Sequence, residues 1–169
     1  PSCGKSHRSR ELAGAHGVIC ETDQFFYTQV GENVDKYDYQ ADRQQEARDW
    51  NYQRFVQAVD VGAPNIVVDR GNGLNLETVR YAKYAADRGC TLLLAEPDSP
   101  WWQEIRVLLK YKQYTGPVLD RWAERLAKMN RSTHRTPKKT IRRWMQRWNS
   151  SLTVDAILNY QQGRSGERA

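Results

Sequence analysis

The chain begins with the sequence PSCGKS at positions 1–6, which matches the last six positions of the phosphate-binding motif GxxxxGK(S/T). In the complete motif, a glycine-rich loop directs backbone N–H groups at nucleotide phosphates and the lysine reaches the outer phosphates. The Ser or Thr hydroxyl binds magnesium at a helix N-terminus. Lys5 and Ser6 are therefore the first candidate functional pair. Gly-Lys-Ser also occurs in ordinary surface loops, so the assignment depends on the rest of the sequence.

The first glycine of the motif and its preceding strand are missing, so we expect the chain to be a segment of a longer product. We expect one domain over 1–160 and a polar tail over 161–169. No apolar run approaches the roughly 18–20 residues of a membrane span. The three cysteines are widely spaced and form no CxxC pair. These features predict a soluble, cytoplasmic protein with reduced thiols and no membrane partner.

The positive charge of the chain is concentrated in one segment. Residues 1–100 contain 11 Lys and Arg against 15 Asp and Glu, whereas residues 101–148 contain 13 against 3. A basic surface of this kind attracts ATP phosphates or a nucleic-acid backbone. Most of the tryptophans also lie in this segment, where rings beside cations suit stacked bases. The alternative is a solvated helix face with several of these rings in the core.

Apolar periodicity predicts strands that alternate with helices, which is typical of an α/β fold with a parallel sheet flanked by helices. We expect strands at 17–20, 66–69 and 91–95, and helices that begin near residues 6, 41, 75 and 137. In the last helix, Ile141, Trp144, Met145 and Trp148 form one apolar stripe, which predicts that both tryptophans are core residues. The basic half of that helix is left to line a groove or face solvent.

Polar residues follow each predicted strand, at the sheet edge where open α/β folds bind ligands. Asp69 has the form of the carboxylate that lies beside magnesium in phosphate-loop proteins, and Asp23 could orient an acceptor hydroxyl and take its proton. The alternative for both is an ordinary aspartate that caps a turn. Their order after Lys5 and Ser6 favours the functional interpretation.

Six successive motifs resemble those of the P-loop polynucleotide-kinase-like ATPases, especially the kinase domains of the NEDD4-binding protein 2 group. They are PSCGKS, CETDQFF, EARDWN, IVVDRGN, AEPDSPWW and MNRSTHRTPKKTIRRWMQRW, and they cover the chain to about residue 156. The resemblance implies a P-loop NTPase fold whose first strand is missing here and a basic helical lid over about 101–148. It also implies an ATP-dependent kinase with Mg²⁺ as cofactor and terminal or single-stranded nucleic acid as partner.

The resemblance also implies roles for individual residues. Lys5 and Asp23 would be catalytic, with Asp23 as the base for the acceptor hydroxyl, and Ser6 and Asp69 would bind magnesium. The nucleotide would be bound by Cys3, Gly4, Lys5, Ser6 and His7, and by Asn130, Arg131 and His134 of the lid. The substrate would be bound by Asp69, Asn72 and Arg48.

Three departures from the family pattern affect the expected chemistry. The second acid before the aromatic pair is Gln24, and Arg70 and Gly71 alter the turn after Asp69. The lid arginine expected before Asn130 is Met129, so a cation that would stabilise the transition-state charge is missing unless Lys128, Arg131 or Arg135 replaces it. An insertion also appears between residues 102 and 128.

Three functions remain open from the sequence. The first is an ATP-dependent transfer of the γ-phosphoryl group to a hydroxyl, foremost a polynucleotide 5′-OH. The second is a nucleotide- or RNA-binding module whose chemistry has decayed, which Gln24 and Met129 favour. The third is a kinase for a small molecule, similar to the zeta-toxin class.

Overall fold

A computed structural model describes residues 2–29, 35–71, 73–131 and 135–161. The predicted sites Asn72 and His134, and the tail beyond residue 161, lie outside the described residues. The chain divides into two compact units, one formed by 1–70 and 96–150 and the other by 71–95 and 151–169. All the remaining predicted site residues belong to the first unit. The single-domain boundary at residue 160 stays a prediction.

The first unit contains a short parallel sheet. Strand β1 (Val18–Cys20) pairs with β4 (Ile66–Val68), and Val18 lies opposite Ile66. Helices α1 (Lys5–Ala13) and α2 (Gln44–Asp60) both contact these strands. The α/β class and the parallel pairing of the first two predicted strands are therefore confirmed.

The turn from α1 into β1 requires a glycine. A Cβ atom at Gly17 would collide with the carbonyl oxygen of Ala13 and lie 2.7 Å from that of Asn65. The Asn65 carbonyl accepts a hydrogen bond from the Val18 N–H at 2.8 Å, which begins the pairing of the two strands. The close approach of the two backbones therefore sets the position of β1 against β4.

The predicted strand at 91–95 is wrong, because this segment has no regular secondary structure. Leu93 is 85% exposed and Leu94 is 39% exposed, so the apolar run is not buried. A strand needs a hydrogen-bonded neighbour, and in the described part of the chain no strand pairs with this segment. The apolar composition was a necessary condition for a buried strand but not a sufficient one.

A second, antiparallel pair follows β1. A 3₁₀ turn over Thr22–Phe26 leads into β2 (Tyr27–Gln29), which pairs with β3 (Asp35–Tyr37). The Asp38 N–H donates to the Phe26 carbonyl at 2.8 Å and closes the open end of this hairpin. The hairpin therefore begins and ends beside the turn that carries Asp23.

The basic segment forms three helices, α4 (Pro100–Lys110), α5 (Gly116–Met129) and α6 (Lys138–Arg147). They enclose the hydrophobic core of the first unit. Its buried members are Trp102, Ile105, Leu109, Leu119, Trp122, Ala123, Leu126, Ile141 and Met145. Trp148 packs against Trp102, with ring centroids 5.2 Å apart. The core prediction for Trp144 is wrong, since its side chain is 47% exposed.

The second unit contains α3 (Leu76–Asp87) and α7 (Val154–Leu158), which pack together. The side chain of Asn75 accepts a hydrogen bond from the Thr78 N–H at 2.9 Å and caps α3, as the sequence predicts. Thr153 caps α7 in the same way. None of the helices in the described ranges is both long enough and apolar enough to cross a membrane.

Candidate functional site

The candidate phosphate loop leads directly into α1. Gly4 has φ 84°, in the left-handed region that glycine adopts readily, and α1 begins at the next residue, Lys5. The Arg8 N–H is the donor to the Gly4 carbonyl, so the N–H groups before it point out of the first turn. Lys5 and Ser6 therefore lie at the positive end of a nine-residue helix, where anions bind favourably.

The AEPDSPWW motif holds this loop in place. The Ser99 hydroxyl donates to the Cys3 carbonyl at 3.0 Å, and the Trp101 indole N–H donates to the Ser2 carbonyl at 2.8 Å. Ser99 also caps α4 by accepting from the Trp102 N–H. A Cβ atom at Gly4 would lie 3.4 Å from the Ser99 Cβ, so the loop fits closely against this motif. Sequence reasoning did not predict these bracing contacts.

Glu21 is the point around which the predicted charged residues gather. Burial raises the pKa of Glu21, and the negative charges of Asp69 and Asp23 raise it further, whereas Lys5 and Arg10 lower it. Lys5, Asp23 and Asp69 therefore lie close enough to one carboxylate for their charges to act on it. The sequence placed these three residues at one site but did not single out Glu21.

Asp69 is a buried carboxylate at the end of β4. Its N–H donates to the Cys20 carbonyl at 3.0 Å, which extends the pairing of β1 and β4 by one step. Only 7% of the residue is exposed, and Oδ2 has no hydrogen-bond partner among the described residues. A buried carboxylate oxygen without a partner costs free energy. It suits a bound cation or its water ligands, so Asp69 could hold a magnesium ion.

Asp23 is held by a tyrosine of the hairpin. The Tyr37 hydroxyl donates a hydrogen bond to the Asp23 side chain, and burial together with the Asp23 charge raises the pKa of Tyr37. Tyr37 therefore keeps its proton and remains a donor at physiological pH. This contact fixes the orientation of the predicted base and was not visible in the sequence, because β3 brings Tyr37 back to the turn.

Helix α2 supports the turn from its other side. The Asn51 amide donates to the Thr22 hydroxyl at 3.5 Å. Arg54 donates to Gln24 Oε1 at 2.6 Å and lies 4.7 Å from the Trp50 ring centroid. Gln24 can thus make the arginine contact that an acid would make. Arg48 is half-buried one turn before Asn51, and its substrate contact stays a prediction.

Two predicted nucleotide ligands near the loop have other surroundings. Burial raises the pKa of the Cys3 thiol, whose side chain packs against the core of α4–α6. The His7 side chain is 69% exposed, with Nδ1 3.8 Å from Glu11 Oε2. His7, Glu11 and Asp98 place ligand atoms within 4.8 Å of one another, but exposed groups of this kind are common without a metal. Nucleotide contacts of Cys3 and His7 stay predictions.

The lid residues lie at the junction of α5 and α6. Asn130 is fully buried, and its amide donates to the Leu126 carbonyl at 2.7 Å while Oδ1 accepts from the Thr136 N–H. This gives Asn130 a structural role, and its contact with nucleotide stays a prediction. Arg131 and Arg135 line an open groove of about 530 Å³. Met129 is 42% exposed where the family pattern has an arginine.

Comparison with known proteins gives a distant similarity. The chain is 26% identical over 161 residues to NEDD4-binding protein 2 of Homo sapiens, and the match covers 94% of this chain but 8% of that protein. No protein-family model matches the chain, and no solved structure matches it. The similarity relates the chain distantly to the NEDD4-binding protein 2 group.

Proposed function

We propose that the chain is an ATP-dependent phosphotransferase with a P-loop kinase fold, and that its acceptor is a polynucleotide 5′-hydroxyl. The observation that carries the proposal is that Lys5, Asp23 and Asp69 all lie close enough to the Glu21 carboxylate for their charges to act on its pKa. A helix N-terminus with a lysine, and carboxylates that follow two parallel strands, are the parts that phosphoryl transfer needs.

Each residue has a separate task in this proposal. Lys5 and the N–H groups of α1 bind the outer phosphates of ATP. Asp69 and Ser6 would hold a magnesium ion, which supplies charge neutralisation when bound; their oxygen atoms are the ligands that magnesium prefers, and Asp69 Oδ2 is available. Asp23 accepts the proton of the acceptor hydroxyl while the oxygen of that hydroxyl bonds to the γ-phosphorus. The bond from that phosphorus to the β–γ bridging oxygen breaks, and ADP leaves.

The basic segment favours a polynucleotide over a small acceptor. Its three acids are each engaged within the segment, since Glu104 accepts from the Trp122 indole, Asp120 pairs with Arg142, and Glu124 lies near Lys128 and Lys138. Of the remaining cations, Arg106 pairs with Glu96 and Lys112 donates to the Gln146 and Trp148 carbonyls, whereas the others are exposed. Such a surface attracts a phosphate backbone.

The test is a transfer assay with γ-labelled ATP in which 5′-OH oligonucleotides and small hydroxyl acceptors are offered side by side. Label should move to the oligonucleotide. Lys5→Ala should weaken ATP binding, whereas Asp23→Asn should keep ATP binding and lower the transfer rate by about 10²- to 10⁴-fold. Matched controls are Lys83→Ala and Asp42→Asn, which change an exposed lysine and the acid of another 3₁₀ turn. Full transfer by Asp23→Asn would reject the assigned base.

A nucleotide-binding module without transfer is the second candidate, because Met129 stands at the lid position of the family arginine. It predicts ATP binding that depends on Lys5, with no label on either class of acceptor. Label on the small acceptor alone would favour the small-molecule kinase.

A further inference from the structure

The hairpin that holds Asp23 carries a group of tyrosines, Tyr27, Tyr37 and Tyr39, which we call the tyrosine surface. Tyr27 and Tyr37 lie opposite each other in the two strands, with ring centroids 5.2 Å apart. Tyr37 and Tyr39 are nearly parallel, with centroids 6.5 Å apart and planes at 17°. Phe26 lies beneath, with its ring 5.1 Å from Tyr39 at 62°. The rings therefore pack against one another.

Two members of the tyrosine surface are open to solvent. Tyr27 is 44% exposed and Tyr39 is 47% exposed, although both contact other rings. Aromatic side chains of this size gain free energy when they are covered, and a rigid exposed ring loses little entropy when another flat group stacks on it. The surface is therefore prepared for a planar partner.

The tyrosine surface is connected to the proposed base through its middle member, because the Tyr37 hydroxyl bonds to Asp23. The 5′-hydroxyl and the base of a terminal nucleotide are attached to the same sugar. If the hydroxyl is at Asp23, the base lies within one nucleotide of the neighbouring rings. The cations of the basic segment attract phosphates, whereas these uncharged rings offer a surface for a base.

We propose that Tyr39, which lies against Tyr37, stacks on the terminal base of the acceptor and so positions the 5′-hydroxyl at Asp23. The inference rests on the proposed function and names its substrate more closely: a nucleic acid with an unpaired 5′-terminal base. Because every base has a π face, stacking requires that a base is present but tolerates any base.

The competing explanation is that the rings only stabilise the hairpin. Two substitutions separate the explanations, because Tyr39→Leu keeps apolar contact with Phe26 but removes the aromatic face, whereas Tyr39→Phe keeps the face. Tyr84→Leu is the matched control, since Tyr84 lies on α3 in the second unit, outside both the basic segment and the hairpin. Thermal unfolding of each variant shows whether the fold is retained.

The probe is a 5′-OH oligonucleotide with 2-aminopurine as its terminal base, and the readout is quenching of its fluorescence on titration with protein. We expect Tyr39→Leu to weaken binding by roughly 5- to 150-fold and to remove the quenching. Tyr39→Phe and Tyr84→Leu should bind as the unchanged chain does. The same probe with 2-aminopurine at an internal position should be quenched less.

The results separate this inference from the proposed function. Quenching that depends on Tyr39 supports the stacking site even where no label is transferred, and in that case the kinase proposal alone fails. Transfer that is equally fast to an acceptor with an abasic 5′ terminus would overturn the stacking site and leave the kinase standing. Equal losses of oligonucleotide affinity in Tyr39→Leu and Tyr39→Phe would also overturn the stacking site, because the aromatic ring would then not determine binding.

Discussion

At the scale of a single residue, opposing influences act on the pKa of Glu21. Its carboxylate is partly buried beside Asp23 and Asp69, which disfavour a further negative charge, and beside Lys5 and Arg10, which favour it. The raised pKa shows that burial and the acids outweigh the cations. This excess of negative charge costs stability, and under the proposed function it would be kept because a bound cation needs it.

We predict that Glu21→Gln stabilises the fold at neutral pH. The folded chain binds the Glu21 proton more tightly than the unfolded chain, so the free energy of unfolding falls as pH rises from 4.5 through the raised pKa. Glutamine removes this loss. The Tm at pH 7 should rise by about 1–3 °C, since the side chain is partly exposed, and the difference should shrink toward pH 4.

Glu46→Gln is the control with the opposite sign. The hydrogen bond from Arg43 lowers the pKa of Glu46, so its contribution to stability is present above pH 4.5 and is lost as pH falls. This substitution should leave the Tm at pH 7 unchanged or slightly lower, because the pair is exposed. A lower Tm for Glu21→Gln at neutral pH would contradict the arrangement of charges described for the site.

Tyr37 gives a second prediction at this scale, as a positioning residue. Tyr37→Phe removes the hydroxyl that orients Asp23 but keeps the ring contacts with Tyr27 and Tyr39. In the transfer assay kcat should fall by roughly 10- to 100-fold while the KM for ATP stays constant, since a hydrogen bond to a charged group is lost. Tyr114→Phe should have no effect. An unchanged kcat in Tyr37→Phe would remove the positioning role.

At the scale of elements, Asn130 joins α5 to α6. Its amide donates to the Leu126 carbonyl at the end of α5, and its Oδ1 accepts from the Thr136 N–H just before α6. The Arg135 N–H donates to the Asn130 carbonyl at 2.9 Å, and Arg135 has φ 49°. One buried side chain thus closes the turn that carries the two arginines of the groove.

We predict that Asn130→Ala destabilises the fold by about 1–3 kcal/mol, because it leaves the Thr136 N–H without its acceptor, whereas the Leu126 carbonyl still accepts from the backbone N–H of residue 130. Urea unfolding should show a lower midpoint with an unchanged slope. Asn159→Ala is the matched control: the Asn159 amide also donates to the carbonyl four residues earlier in its helix, at 2.9 Å, but the side chain is exposed. If Asn130→Ala lowers the free energy of unfolding by less than Asn159→Ala does, the structural role of Asn130 is contradicted.

Features with a local cause could be predicted from the sequence, and features with a distant cause could not. The Asn75 cap, the loop before Lys5 and the strand ending at Asp69 depend on neighbouring residues, and the structure contains all three. The bracing by Trp101, the donor Tyr37 and the exposure of 91–95 depend on which elements meet. In α6 the apolar stripe was correct for Ile141 and Met145, but Trp144 is 47% exposed, because the pattern of one helix does not show how far its neighbours cover it.

At the scale of the whole molecule, the chain has a net charge of +6. The positive charge comes from residues 101–148, whereas residues 1–100 contain more acids than bases. Counterions released from a nucleic acid on binding make its affinity fall as salt rises, and the slope counts the phosphates contacted. Helix α6 presents the exposed cations Lys139, Arg143 and Arg147 beside the exposed ring of Trp144. If α6 binds the backbone of the acceptor, these cations set the slope.

We predict that the double variant Lys139→Ala with Arg143→Ala lowers the slope of log K against log salt for a single-stranded oligonucleotide by about 1.4, which is the value for two lost phosphate contacts. The double variant Arg43→Ala with Lys83→Ala removes the same charge from residues 1–100 and should leave the slope unchanged. Binding isotherms between 50 and 200 mM salt, about the range over which phosphate contacts dominate, give both slopes. Equal slopes in the two double variants would mean that net charge alone attracts the nucleic acid. A slope that only the α6 variant changes would instead locate the backbone along this helix.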